Sequence, residues 1–186
     1  MELNRKSSLN VSRRSVIAYW LIPAEPAHTF FQGIINDLAG RYDAPLFEPH
    51  VTIHIGTNCA DLTETALTDA AREGKPIRLK PVGIDQSDEF VKTLFVQFEL
   101  SAELGQMNEI VRNAAHDSSQ YQLKPHLSLL YKNVAAATRC ELAASIKVPF
   151  SEISFDGLKA IRCISPALSR ADVETWRVMK AASLSG

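Results

Sequence analysis

Pro49-His50-Val51-Thr52-Ile53-His54-Ile55 and Pro125-His126-Leu127-Ser128-Leu129-Leu130-Tyr131 stand about 76 residues apart and repeat one pattern. Proline marks the entry to each, and β-branched or aliphatic residues follow, which predicts strands over His50–Ile55 and His126–Tyr131. Residues i and i+2 of a strand share a face, roughly 7 Å apart. Each stretch therefore aims an imidazole and a hydroxyl together, while Val51 and Leu127 turn to the core. The same parity puts His54 on the face of His50 and Thr52. Its repeat partner is Leu130, so a place at the periphery of a site and a plain structural place both stay open for it. Strict alternation puts Tyr131 on the face opposite His126 unless the strand twists or ends before it.

The repeat extends outward from these stretches. The strand pattern of Ser15 to Ile22 maps onto Val91 to Phe98, and the helix starting near Pro26 maps onto one starting near Ala102. The strand from Ile77 maps onto the strand from Ile153. Helical spacing of Phe30, Phe31, Ile34, Ile35 and Leu38 carries the first helix to about Tyr42. Asp61 is expected to cap a second helix ending near Glu73, Ser101 a third, and Ala135 to Ile146 forms a fourth. Ile77 to Ile84 and Thr93 to Leu100 read as strands flanking the loop Asp85 to Glu89; Ile153 to Ile164 and Val173 to Met179 close the chain. The expected fold is α+β, a duplicated two-lobed domain over 15–180 with antiparallel sheets lining a central cleft and helices outside. A flexible segment, 1–14, and a tail, 181–186, flank it.

The chain has 186 residues, 46% hydrophobic and 22% charged, with a formal net charge of -1. This profile suits a globular domain with a substantial core. It lacks the strongly basic balance needed to neutralise many phosphates of a long nucleic acid, and a small anionic ligand suits it better. Cys59, Cys140 and Cys163 have neither CxxC spacing nor neighbouring zinc ligands, and read as free thiols. No apolar run approaches the roughly 20 residues that span a bilayer, and the polar start lacks a signal-peptide pattern. A cytoplasmic monomer with no membrane association, no cofactor and no metal is expected.

Two such motifs brought side by side would place two imidazoles and two hydroxyls around one tetrahedral phosphoryl group. A neutral His50 or His126 takes a proton from attacking water while the other, protonated, donates to the leaving sugar oxygen. Histidine's ordinary pKa of about 6.5 suits both tasks. Thr52 and Ser128 would donate hydrogen bonds to the non-bridging oxygens, where negative charge accumulates. His116-Asp117-Ser118 also fits His-x-Ser, but its polar surroundings at a helix end mark the match as accidental. His28 reads as a surface residue, Trp176 as a packing aromatic, and Lys92 and Lys124 as solvated cations near the cleft mouth.

Phe47-Glu48-Pro49-His50-Val51-Thr52, Pro125-His126-Leu127-Ser128-Leu129-Leu130-Tyr131, the Trp20 strand ending at Pro23, and Glu174-Thr175-Trp176 are spread over Ser15 to Met179. In them the chain resembles the 2H phosphoesterase superfamily, most closely the plant and yeast type of cyclic phosphodiesterase. The resemblance implies hydrolysis of nucleoside 2′,3′-cyclic phosphates or ADP-ribose 1″,2″-cyclic phosphate. It also implies catalytic roles for His50 and His126, phosphate binding by Thr52 and Ser128, and nucleotide contacts from Trp20 and Tyr131. Plant members carry additional cysteines able to form disulfides, and control through such bridges does not carry over to three cysteines. Two alternatives share the motifs: a 2′-5′ RNA ligase-like or RNA-end-processing enzyme, and a nucleotide-binding module without catalysis.

Overall fold

The computed structural model describes residues 13–57, 59–117, 119 and 121–184, along which strand-like and helix-like segments alternate. In chain order these are β1 (Arg14–Pro23), α1 (Ala27–Tyr42), β2 (Val51–Thr57), α2 (Ala60–Glu73), β3 (Ile77–Leu79) and β4 (Pro81–Gln86). A 3-10 turn (Phe90–Lys92), β5 (Leu94–Phe98), α3 (Ala102–Ala114), β6 (His126–Leu130), α4 (Ala136–Ser145), β7 (Ile153–Ser165), α5 (Arg170–Glu174) and β8 (Arg177–Ser183) follow. All strands join one antiparallel sheet in the order β3-β7-β1-β2-β6-β5-β4, with β8 added beside β7. The two expected lobes thus merge into one continuous sheet.

Several elements differ from expectation. The stretch Ile77 to Ile84 divides at Lys80, whose carbonyl accepts from Glu99 N; β3 pairs with β7 while β4 pairs with β5. Because one residue separates β3 from β4, the end of β3 and the start of β4, at opposite ends of the strand order, lie within a few ångströms of each other. Cys59, not Asp61, is the N-cap of α2; Asp61 lies in the first turn, where a carboxylate favours the positive end of the helix dipole. Val173 lies within the short helix α5, begun at the Ser169 cap, and the strand starts only at Arg177. The expected tail from 181 is instead the end of β8, followed by buried Leu184. At the other end β1 begins at Arg14, and the remainder of the expected leading segment, up to residue 12, lies outside the described residues. The Ser101 cap is present, with its side chain accepting from Leu104 N.

Helices α1 to α4 cover one face of the sheet. Phe31 and Leu38 of α1, Leu67 of α2, Leu104 and Val111 of α3, and Leu142 of α4 bury against Tyr19, Val51, Val96, Leu127 and Phe155. The opposite face carries Val16, Ala18, Trp20, Ile161 and Cys163, and it forms the wall of a cleft. Two β-bulges decide which residues reach that wall. In β2, Tyr19 pairs with His54 but Trp20 pairs with Thr52, so Ile53 is the extra residue. In β6, Leu94 pairs with Leu130 but Phe95 with Ser128, so Leu129 is the extra residue. Ile53 and Leu129 are repeat partners, and each inverts side-chain parity directly after its motif.

Candidate active site

Strands β2 and β6 meet through a single ladder pair, Val51 with Leu127, at the centre of the sheet. Antiparallel pairing at that point sets His50 opposite Ser128 and Thr52 opposite His126. Both core residues of the pair are fully buried beneath the helices, so the four motif side chains share the other face. The two histidines stand diagonally across the seam, roughly 7–8 Å apart, a span that accommodates a phosphoryl group between their rings. All four residues line one cleft of about 390 Å³, within the usual range for a small-molecule site.

Each imidazole is oriented by the carbonyl two residues before it. His50 Nδ1 is 2.7 Å from Glu48 O, and His126 Nδ1 is 2.8 Å from Lys124 O. A carbonyl only accepts, so Nδ1 carries the proton and Nε2 remains free as a base. Burial pushes the His50 pKa down to about 3, with neighbouring His126 adding to the effect against the support of the Glu48 carbonyl. Burial also lowers His126, helped by Lys92 and opposed by the Lys124 carbonyl and by Glu89. Both rings are therefore neutral at neutral pH.

The two hydroxyls are not equivalent. Ser128 Oγ donates to Val91 O at 2.9 Å, which ties β6 to the 3-10 turn that carries Lys92. The Thr52 hydroxyl forms no hydrogen bond with another described residue. Ser128 thus has to exchange its backbone partner before serving a ligand, whereas Thr52 does not.

Trp20 and Tyr131 also line the cleft. Trp20 stacks on the His50 ring at 3.6 Å between centroids and 10° between planes, so one of its faces is covered. Tyr131 stacks on Phe47 at 3.8 Å, and its hydroxyl, raised in pKa by burial, interacts with Ser128. Strict alternation would put Tyr131 on the opposite face unless the strand twists or ends first; the bulge at Leu129 breaks the alternation and returns it to the cleft side. The bulge at Ile53 has the reverse effect on His54, which turns to the helix side and is fully buried. There its Nε2 is 2.7 Å from Asp117 Oδ2, while Asn108 Nδ2 donates to Ile53 O. A place for His54 at the periphery of the cleft is thereby overturned.

Trp176, expected chiefly to pack, lies against Trp20 and Tyr131, at 5.5 and 5.8 Å, and belongs to the cleft wall. Tyr121 also reaches the cleft and donates to Thr52 O at 3.2 Å. It follows a polar stretch with no strand or helix periodicity, so nothing local marks it. Lys92 and Lys124 line the His126 side, and Cys163, with its thiol raised to about 11 by burial, lines the other. His116 has a left-handed φ of 48° just after α3, and the Ser118 of its motif lies outside the described residues. His28 is half-buried, with Nε2 3.6 Å from Glu48 Oε1. Among the described residues, no group of three or more His, Cys, Asp or Glu side chains is placed to hold a metal ion, and no helix is long and apolar enough to cross a membrane.

Known proteins share this architecture. Residues 16–184 match the family described as cyclic phosphodiesterase-like protein. A cyclic phosphodiesterase from Arabidopsis thaliana is 24% identical over 178 residues, covering 92% of this chain and 97% of the relative. Escherichia coli LigT, solved with 3′-AMP, superposes with a TM-score of 0.57 at 13% identity over 91% of this chain and 98% of LigT. A protein from Thermus thermophilus superposes with a TM-score of 0.57 at 17% identity, over 92% of this chain and 98% of its own. At these identities the solved structures speak for the fold, and the sequence match speaks for the family. The chain belongs to the cyclic phosphodiesterase-like family of the 2H phosphoesterase superfamily and is a phosphodiesterase.

Proposed function

We propose that this enzyme hydrolyses small cyclic phosphodiesters, nucleoside 2′,3′-cyclic phosphates or ADP-ribose 1″,2″-cyclic phosphate, by metal-independent two-histidine catalysis. The observation that carries the reading is the Val51–Leu127 pairing, which sets two Nδ1-protonated imidazoles diagonally on one face of the sheet. A phosphodiester monoanion entering between them favours a proton on one ring. The neutral ring takes a proton from water as its oxygen attacks phosphorus, the phosphorus–ribose oxygen bond breaks, and the protonated ring delivers its proton to that oxygen. The rings end with exchanged protonation and reset through solvent. Thr52 donates to a non-bridging oxygen, and Ser128 joins it on releasing Val91 O. The cleft holds about one nucleotide, with aromatic residues on the His50 side and lysines on the His126 side.

The decisive experiment measures turnover of a 2′,3′-cyclic nucleotide with EDTA present. The wild-type chain is expected to retain full activity, and His50→Ala or His126→Ala to lose it by about 10²–10⁴-fold each. Undiminished turnover in either variant, or loss on chelation that added metal restores, refutes the mechanism. Preference for an oligonucleotide ending in a cyclic phosphate over the mononucleotide favours the RNA-end-processing alternative.

A further inference from the structure

The carbonyl that orients His50 belongs to a residue that is itself clamped. Lys159 Nζ lies 2.7 Å from both carboxylate oxygens of Glu48, a forked ion pair that is half-buried on the cleft side of β7. Lys159 also stands directly opposite Trp20 in the β1–β7 ladder, and Trp20 stacks on the His50 ring. Lys159 therefore clamps the residue whose carbonyl meets the His50 ring edge and stands beside the residue that covers its face.

Among the described residues, the other half has no counterpart. The repeat partner of Glu48 is Lys124, whose carbonyl orients His126 but whose exposed ammonium forms no ion pair with a described residue. Among the described aromatic rings, His126 has Phe95 beside it, T-shaped at 5.5 Å and 72°, and no stacked partner. A device needed merely to hold the fold would be expected on both sides of a duplicated architecture.

We propose that Lys159 is a positioning residue, acting through Glu48 to hold His50 in the Nδ1-protonated form with Nε2 aimed at the cleft. The proposal rests on the two-histidine reading for its kinetic consequence and on geometry alone for its structural one. A reacting group misplaced by about an ångström loses up to 10²-fold in rate, so the clamp controls turnover more than substrate affinity.

The test uses the full chain labelled with ¹⁵N in its histidine rings. In the wild type, long-range ¹H–¹⁵N spectra are expected to show His50 as a single Nδ1–H tautomer. In Lys159→Met, and in Glu48→Gln, which keeps the carbonyl, they are expected to show mixed tautomers. For a 2′,3′-cyclic nucleotide, kcat falls about 10- to 100-fold in both variants with KM within about twofold, and Lys159→Arg restores most of it. An unchanged tautomer and kcat in the folded variants overturn the proposal, as does a loss confined to KM. Should Lys159→Met not fold, Glu48→Gln decides the matter. An inactive wild type removes the function proposed above, but the tautomer readout still decides this inference.

Discussion

At the residue scale, the properties of the site come from two backbone carbonyls and from burial. Each carbonyl holds a proton on Nδ1, and desolvation lowers both imidazoles, His50 to about 3 and His126 below its ordinary 6.5. On the proposed mechanism, which needs a proton on one ring, the free enzyme loses it as pH rises through a value below 6.5, so the basic limb of kcat/KM is expected below pH 6.5. A bound phosphodiester anion favours the protonated ring, which moves the basic limb of kcat to higher pH. Steady-state kinetics from about pH 4 to 9 check both limbs. A kcat/KM limb above about pH 7, or two limbs that coincide, contradicts the account.

At the element scale, the site depends on a seam one ladder pair wide. Val51 and Leu127 are fully buried there and hold the two motifs in register. Leu127→Ala removes buried aliphatic volume under the seam, and is expected to cost about 2–5 kcal/mol. A urea titration measures it; a loss below about 1 kcal/mol shows that the seam is not held by packing. The bulges at Ile53 and Leu129 matter as much as the strands, because they move His54 out of the cleft and Tyr131 into it. They also free His54 to bond Asp117, whose carboxyl burial would raise but whose hydrogen bonds with Ser119 and His54 hold below its ordinary value.

At the scale of the whole molecule, the two stretches that the sequence pairs as repeats are interlocked in the sheet. β1 and β2 of the first half are flanked by β7 of the second, while β5 and β6 of the second are flanked by β4 of the first. Neither half completes its part of the sheet without a strand from the other. Calorimetry is therefore expected to show a single transition, with calorimetric and van't Hoff enthalpies in agreement. A chain ending at Gln86, after β4, is expected to lack dispersed amide resonances. Two resolved transitions, or a folded half, contradict the interlock.

Local sequence was enough to name the candidate residues and the strands that hold them. Proline followed by His-x-Ser/Thr in an apolar run is a pattern of near neighbours, and the core sides of Val51 and Leu127 followed from alternation within it. The helix stripes and the Ser101 cap were legible for the same reason, since each depends on residues a few positions away. The pairing of β2 with β6, the split at Lys80 and the crossing strands needed the folded chain, because these are choices among distant partners. So did the parity of His54 and Tyr131, for a bulge exists only relative to the strand opposite. The stacking of Trp20 on His50, the Glu48–Lys159 clamp and the lowered imidazoles followed from that packing, since burial is a property of the assembled sheet and not of any single segment.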